Sequence, residues 1–218
     1  LEQYEDADGH PILSMNPVNR LSKTRAWYQV KRRQTLLKPH ELKPWFEASN
    51  LLNQETTRDY LQFLLFTGLR RSEAAAMTWD DVDFKDRSFV IPDTKNTDPH
   101  HLPFSSFIEE MLVRRHQQSE RIWVFPSPVT DGPIKEPRTA LDRIASLSGI
   151  SITCHDLRRT FITVAESLDI PAYALKRLLN HRVSSDITAS YIVLTTGRLR
   201  EPMERIDAHL MELIRGKD

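Results

Sequence analysis

The sequence predicts a mainly α-helical protein with a small antiparallel β-sheet of about three strands. Most of the chain from residue 39 onward carries apolar side chains at the three- and four-residue spacings of amphipathic helices. Three short runs, WDDVDF, SFVIP and HHLPF, interrupt this pattern and are typical of strands. Because polar turns separate the runs, we expect hairpin connections and therefore antiparallel pairing.

The bulk composition is that of an ordinary globular protein. The 218 residues carry 30 basic and 30 acidic side chains, so net charge argues neither for nor against a nucleic-acid partner. No apolar run approaches the roughly 20 residues that a membrane helix needs, and no membrane partner is expected. Cys154 is the only cysteine, which excludes an intramolecular disulfide and favours a reducing, cytoplasmic setting.

The start of the chain has an uneven charge distribution. Residues 1–8 are acidic and polar, whereas residues 9–40 contain no Asp or Glu and include the basic run Lys31, Arg32 and Arg33. Such a run is either a solvated linker or a basic strap along a phosphate backbone, and the segment alone favours neither. Since the first residue is not Met, we expect a piece of a longer protein.

Two helices are predicted in front of a tight junction. The pattern PHELKPWFEASNLL at residues 39–52 indicates the first, and residues 55–66 indicate the second. Gly68 then ends the second helix, because glycine readily adopts the left-handed conformation found at such ends. A short helix at about residues 71–77 follows, so Arg70 lies at a junction whose backbone is fixed by packing.

The strand-like runs are connected by two turns. A turn at residues 86–87 separates the first two runs, and a polar turn at residues 93–99 separates the last two. This arrangement places Lys95 at a hairpin tip. Helical patterns return at about residues 105–120 and 137–147.

Residues 153–168 form the best-marked helix. Thr153 and Asp156 make a T-x-x-D start signal. His155 and Arg158 are one turn apart and share a face, and an anion is favoured near a helix N-terminus. A separate apolar stripe locks this turn and consists of Leu157, Phe161, Val164 and Leu168.

Two more helices complete the chain. Pro171 opens the first, which ends at Asn180, a residue that tolerates a left-handed cap. His181 follows the cap, and a polar loop leads to Tyr191. The terminal helix carries an apolar stripe made of Leu199, Met203, Ile206, Leu210 and Leu213.

Four of these pieces match one known family in order. The chain resembles the catalytic domain of tyrosine recombinases, the phage integrase family. The matching pieces are TGLRRSE at residues 67–73, TKN at 94–96, HDLRRT at 155–160, and LLNH at 178–181 followed by Tyr191. One departure is Asn180, where the family usually has glycine, and we expect the left-handed cap to survive it.

The resemblance implies a site that holds and attacks a DNA phosphate. Arg70 and Arg158 would bind the phosphate bidentately and stabilise the transition state. Tyr191 would be the nucleophile and form a covalent 3′-phosphotyrosine, while Lys95 would protonate the 5′-oxygen that leaves. His155 would act as general base or orienter, and His181 would hydrogen-bond a non-bridging oxygen. No metal and no cofactor is expected, since cationic side chains replace them.

The resemblance also implies a domain organisation and partners. Residues 1–35 would be the end of a preceding core-binding domain plus a basic linker, and residues 36–218 the catalytic domain with its C-terminal helix. The partner would be double-stranded DNA, on which the chain forms a homo-oligomer, a tetramer. The free protein could be a monomer, and accessory DNA-bending proteins could also take part. The protein would be bacterial or phage-encoded and cytoplasmic.

Alternatives remain for the function and for each residue. A type IB topoisomerase would use the same chemistry to relax DNA, and a protein of the same fold could bind DNA without cutting it. Arg70 could simply pair with Glu73, and Arg158 with Glu166. His155 and His181 could serve helix ends, Lys95 could be a solvated turn residue, and Tyr191 could be core packing. The terminal stripe could pack on the core or dock on a neighbouring protomer.

Overall fold

The computed structural model describes residues 5, 8–10, 17–24, 34–92, 99–180 and 196–216. The chain divides into two compact units, Leu1–Gln34 and Thr35–Asp218. The first unit contains the short helix α1, Pro17–Lys23, on which Val18 and Leu21 are exposed. Its identity as the end of a core-binding domain stays a prediction.

The second unit is built around one central helix. Helix α3, Glu55–Thr67, is buried on nearly all sides, and residues 59–67 form an unbroken buried run. We predicted a single apolar face, but the helix is enclosed because α2, Pro39–Asn50, and α7, Cys154–Ser167, both pack against it. The other helices of this unit are α4, Arg71–Ala75; α5, Ser106–Gln118; α6, Arg138–Ser148; α8, Ala172–Leu178; and α9, Gly197–Arg215.

The sheet has three antiparallel strands, as predicted. They are β1, Val82–Asp83, β2, Ser88–Ile91, and β3, His100–Pro103, in the order β1-β2-β3. The first strand is shorter than expected because Trp79–Asp81 forms a 3₁₀ turn, in which Asp81 accepts a hydrogen bond from the Thr78 backbone at 2.8 Å. The mainly helical fold with a small sheet is therefore confirmed.

The C-terminal helix packs on the body of its own chain. Its apolar stripe is buried, with Leu199, Met203, Ile206 and Leu210 at 4% exposure or less. Helix α9 contacts α2, α7 and β3, so within one chain the stripe is core packing. Docking on a neighbouring protomer stays a hypothesis.

A carboxylate from α9 completes the start of α5. Glu204 accepts hydrogen bonds from the backbone N–H and the hydroxyl of Ser106, both at 3.1 Å. Asp207, one turn later, is buried against the same turn, and its Oδ1 has no hydrogen-bond partner within the residues that the structure describes. Burial, and secondly the charge of Glu204, raises the pKa of Asp207 to about 6.

Among the described residues, no helix has the length and apolar character needed to cross a membrane.

Candidate active site

Arg70 is held at the start of α4 by a buried carboxylate. It occupies the N-cap position, and Glu73 accepts hydrogen bonds from its backbone N–H at 3.1 Å and from its Nη1 at 2.7 Å. The Arg70–Glu73 pair that we weighed as a structural alternative is therefore present. Because Glu73 is 6% exposed, the pair fixes both the backbone and the guanidinium of Arg70.

Gly68 shapes the turn that leads into Arg70. Its φ of 63° is left-handed and ends α3, as predicted. A Cβ at this position would overlap the ring of Phe161 on α7. The turn therefore needs glycine both for its conformation and for the close approach of α7.

Arg158 joins three segments of the chain. From α7 it donates hydrogen bonds to the carbonyl oxygen of Gly68 and, at 2.8 Å, to that of Leu179 after α8. Glu166, the acid weighed as its partner, is exposed elsewhere on α7. Burial, and secondly the nearby positive charge of Arg70, lowers the pKa of Arg158 to about 10.

The start of α7 fixes the position of His155. Thr153 donates from its backbone N–H and its hydroxyl to Asp156 Oδ2, both at 2.8 Å, which confirms the predicted T-x-x-D signal. Although burial alone would raise the pKa of Asp156, the hydrogen bonds from Thr153 bring it below its usual value. Asp156 is 1% exposed and ionised, so the turn that carries His155 is rigid.

Arg70, Arg158 and His155 meet at one surface pocket of about 450 Å³. His155 is exposed at its rim. Partial burial and then the charge of Arg159 lower the pKa of His155, so the imidazole is neutral at pH 7 and can accept a proton. The lining residues are Leu69, Arg70, Arg71, Glu136, Thr153, Cys154, His155 and Arg158.

The pocket fits the comparison with known proteins. Residues 35–198 match the phage integrase family, a span that begins at the second structural unit. The chain belongs to the phage integrase family. The match includes the segments of all six residues assigned to the site by resemblance.

Individual relatives agree with this family. The chain is 34% identical to the prophage integrase IntF of Escherichia coli K12 over 181 residues, which is 80% of this chain and 39% of that protein. The fold is shared with the integrase of mycobacterium phage Brujita, with a TM-score of 0.63, 19% identity and coverage of 86% and 65%. A lambda integrase dimer bound to a COC′ core site also shares the fold, with a TM-score of 0.61 and 19% identity over 77% of this chain and 64% of that chain.

The other predicted site residues of this integrase-family chain lie outside the described residues. They are Lys95, His181, Tyr191 and the basic run Lys31, Arg32 and Arg33. Asn180, the residue before His181, is described. It has a φ of 50°, the left-handed conformation predicted for it. The segment that carries His181 and Tyr191 thus starts next to Leu179, whose carbonyl oxygen Arg158 holds.

His100 is a neighbour of the site that we did not predict. It is 7% exposed at the start of β3, and Glu73, Arg158 and Arg70 all act electrostatically on it. Burial lowers its pKa to about 4, so the imidazole is neutral. The signal was present in the sequence, since strand side chains alternate and the apolar Leu102 shares a face with His100.

Two other reactive side chains near the pocket are poor nucleophiles. Tyr60 is fully buried and donates to the carbonyl oxygen of Arg71 at 2.7 Å, and burial raises the pKa of its phenol. Burial also raises the pKa of the Cys154 thiol, to about 11. Within the part of the chain that the structure describes, no cluster of His, Cys, Asp and Glu could hold a metal ion.

Proposed function

We propose that this chain is the catalytic portion of a site-specific DNA recombinase of the integrase type. It would cut and rejoin double-stranded DNA through a covalent 3′-phosphotyrosine intermediate. The observation that carries the proposal is the convergence of Arg70 and Arg158, from separate helices, with a neutral His155 at one pocket.

The two guanidiniums are suited to a phosphodiester. Arg158 is buried beside Arg70, and their mutual repulsion contributes to the lowered pKa of Arg158. An anion between the two groups would relieve that repulsion. A guanidinium has five N–H donors, so Arg158 can hold two carbonyl oxygens and still hydrogen-bond a phosphate oxygen. The clamp is thus positioned before DNA arrives.

The reaction would be a transfer of the phosphoryl group to Tyr191. The Tyr191 hydroxyl attacks phosphorus, the bond from phosphorus to the 5′-oxygen breaks, and DNA remains attached through its 3′-phosphate. The phenolic proton passes to a base, for which His155 is neutral and exposed, and Lys95 gives a proton to the departing 5′-oxygen. His181 would hydrogen-bond a non-bridging oxygen. Religation is the reverse reaction with a 5′-hydroxyl from another strand.

A nicked suicide substrate tests this chemistry. Loss of the short fragment next to the nick removes the 5′-hydroxyl, so a covalent adduct between protein and DNA should accumulate. Tyr191→Phe should give no adduct. Tyr173→Phe is the matched control, because Tyr173 is exposed on α8, and it should react as wild type does. Equal adduct from wild type and Tyr191→Phe would refute the assignment.

A second assay tests strand exchange. Two duplexes that carry the specific site should yield recombinant products, whereas relaxation of supercoiled DNA without exchange would contradict the recombinase assignment. We propose double-stranded DNA as the partner and a homo-oligomer, a tetramer, as the active assembly. The lambda integrase relative is described as a dimer bound to a core site, which supports both DNA binding and oligomerisation.

The remaining assignments rest on the same resemblance. We propose that residues 1–35 end a preceding core-binding domain and link it to the catalytic domain at 36–218. The family match starts at residue 35, which supports this boundary. Lys31, Arg32 and Arg33 would contact the DNA backbone. The protein would act in the cytoplasm, where accessory DNA-bending proteins could join it.

A further inference from the structure

His100 connects the sheet to the last turn before the proposed nucleophile segment. Its Nε2 lies 2.7 Å from the carbonyl oxygen of Arg177, near the end of α8. Because that partner is an acceptor, Nε2 carries the proton and Nδ1 does not. The ring is buried, and among the described residues Nδ1 has no hydrogen-bond partner.

The carbonyl of Arg177 is also the one that closes the left-handed turn. It accepts the backbone N–H of Asn180 at 3.1 Å, so the His100 hydrogen bond uses its second lone pair. Two residues after Arg177, the carbonyl oxygen of Leu179 accepts a hydrogen bond from Arg158 at 2.8 Å. The end of α8 is therefore fastened at two points, by β3 and by α7.

We propose that His100 is a positioning residue for strand cleavage, which fixes the backbone from which the segment carrying His181 and Tyr191 departs. This inference rests on the proposed function, since it concerns the geometry of attack by Tyr191. His100 touches no reacting atom in this scheme. It acts through the Arg177 carbonyl and the Asn180 turn.

Three properties of His100 support a positioning role over simple space filling. A leucine or phenylalanine would fill the same buried volume without a polar Nδ1 that finds no partner in the described part of the chain, and buried polar atoms without partners are costly. The donor reaches a carbonyl at the C-terminal end of α8 that keeps one lone pair after it accepts the Asn180 N–H. The neutral state needed for a single donor is maintained, since burial lowers the pKa of His100 to about 4.

Two substitutions at this position separate the hydrogen bond from the volume. His100→Phe keeps a ring but removes the donor, and His100→Gln keeps an N–H donor close to the place of Nε2. His101→Phe is the matched control, because His101 is exposed on the opposite face of the same strand. Each variant is compared with wild type in DNA affinity, melting temperature and single-turnover cleavage of a nicked substrate.

We expect His100→Phe to slow cleavage at saturating DNA at least tenfold while the dissociation constant for DNA changes less than threefold. His100→Gln should recover most of the rate, and His101→Phe should cleave as wild type does. All rates are measured at a temperature at which both His100 variants are fully folded, so that a lower melting temperature of His100→Phe does not affect the comparison. Cleavage by His100→Phe at the wild-type rate would overturn the proposal.

A modified leaving group shows which side of the reaction His100 serves. In a substrate with sulfur in place of the bridging 5′-oxygen, the leaving thiolate needs no proton, because a thiol has a pKa of about 8.5. Lys95→Ala should be rescued by this substrate and His100→Phe should not. Rescue of His100→Phe to the wild-type rate would show that His100 serves protonation of the leaving group, as Lys95 does, and would overturn the proposal.

Hydrogen exchange provides a readout that does not depend on cleavage. Loss of the His100 hydrogen bond should accelerate amide exchange in peptides that cover residues 177–182 by at least tenfold, with no change in α7. Unchanged exchange would contradict the proposal even if wild type formed no adduct. If wild type forms no adduct but His100→Phe shows the faster exchange, the proposed function is refuted and the positioning contact is supported.

Discussion

Arg158 donates a hydrogen bond to the carbonyl oxygen of Gly68, which precedes it by 90 residues. The same glycine has a left-handed φ of 63° and lies against the ring of Phe161, one turn beyond Arg158 on α7. The contact therefore joins the two arginine-bearing segments directly. The packing of α3 on α7 and the spacing of the arginine pair are one and the same structural constraint.

Replacing Arg158 with lysine should abolish cleavage with little effect on DNA affinity. Lysine keeps the charge, but a single ammonium cannot hold two carbonyl oxygens and a phosphate in the planar geometry of a guanidinium. We expect adduct formation to fall at least 100-fold. The dissociation constant should change less than fivefold, since many other phosphate contacts contribute to binding.

Arg159→Lys is the control for that substitution. Arg159 is the next residue on α7 and pairs with Asp156 at 2.9 Å, within the same helix. Its conversion to lysine should leave adduct formation within threefold of wild type. A loss of DNA affinity by Arg158→Lys as large as its loss of cleavage would contradict the division between binding and chemistry.

Replacing Gly68 with alanine should destabilise the fold more than the same change at Gly149. Both glycines end helices with positive φ, 63° and 75°. Alanine pays a left-handed penalty of about 1 kcal/mol or more at either position. Only at Gly68 would the added Cβ overlap Phe161, whereas a Cβ at Gly149 has no atom of the described residues within 4 Å.

Overpacking of this kind costs about 1–3 kcal/mol, so Gly68→Ala should lose that much more unfolding free energy than Gly149→Ala. Chemical denaturation of the two variants measures the difference. If both variants lost the same unfolding free energy, the Phe161 ring would have moved aside at no energetic cost, and the prediction would be wrong.

Replacing Asp207 with asparagine should change the pH dependence of stability. The pKa of Asp207 is raised from 3.8 to about 6 in the folded chain, so the folded state binds more protons than the unfolded state between these values. The stabilisation by this proton is full below pH 3.8 and is lost as pH rises through 6. The loss amounts to about 3 kcal/mol.

Asparagine does not titrate, so the Asp207→Asn variant does not lose this stability as the pH rises. The free energy of unfolding of Asp207→Asn, relative to wild type, should rise by about 2 kcal/mol between pH 4.5 and 7.5, which is most of the full loss. Other titrating groups, His100 included, are common to both proteins and cancel in the comparison. Urea denaturation at pH 4.5 and 7.5 measures the effect, and a difference that is the same at both pH values would refute it.

Charge reversal of Lys31, Arg32 and Arg33 should weaken DNA binding and flatten its salt dependence. Each lysine or arginine that neutralises a phosphate releases a counterion, so log affinity falls less steeply with log salt when such contacts are lost. We expect the slope to decrease by about 2–3. Reversal of three exposed acidic residues elsewhere controls for net charge, and an unchanged slope would identify the run as a solvated linker.

The local parts of this structure could be predicted from the sequence. The T-x-x-D start at Thr153, the left-handed ends at Gly68 and Asn180 and the three strand-like runs all depend on residues a few positions apart. Arg70 at a helix junction follows from the same short-range signals. These features need no knowledge of how distant segments pack.

The long-range contacts could not be predicted in this way. The carbonyl partners of Arg158 and the hydrogen bond from His100 to Arg177 each join segments that are remote in sequence. The burial of α3 on all sides likewise depends on which helices surround it. Side-chain spacing within one helix contains no information about such partners, so only the structure identifies them.

Helix α5 depends on a carboxylate that lies 98 residues further along the chain, since Glu204 accepts the first N–H of that helix. If α9 moved to a neighbouring copy, the donor chain would lose this cap unless another copy returned one. A closed ring, in which every subunit gives and receives one helix, leaves all α5 ends capped. A linear chain of subunits leaves one uncapped at its terminus. The Glu204 contact would thus favour assemblies of fixed size over open-ended ones.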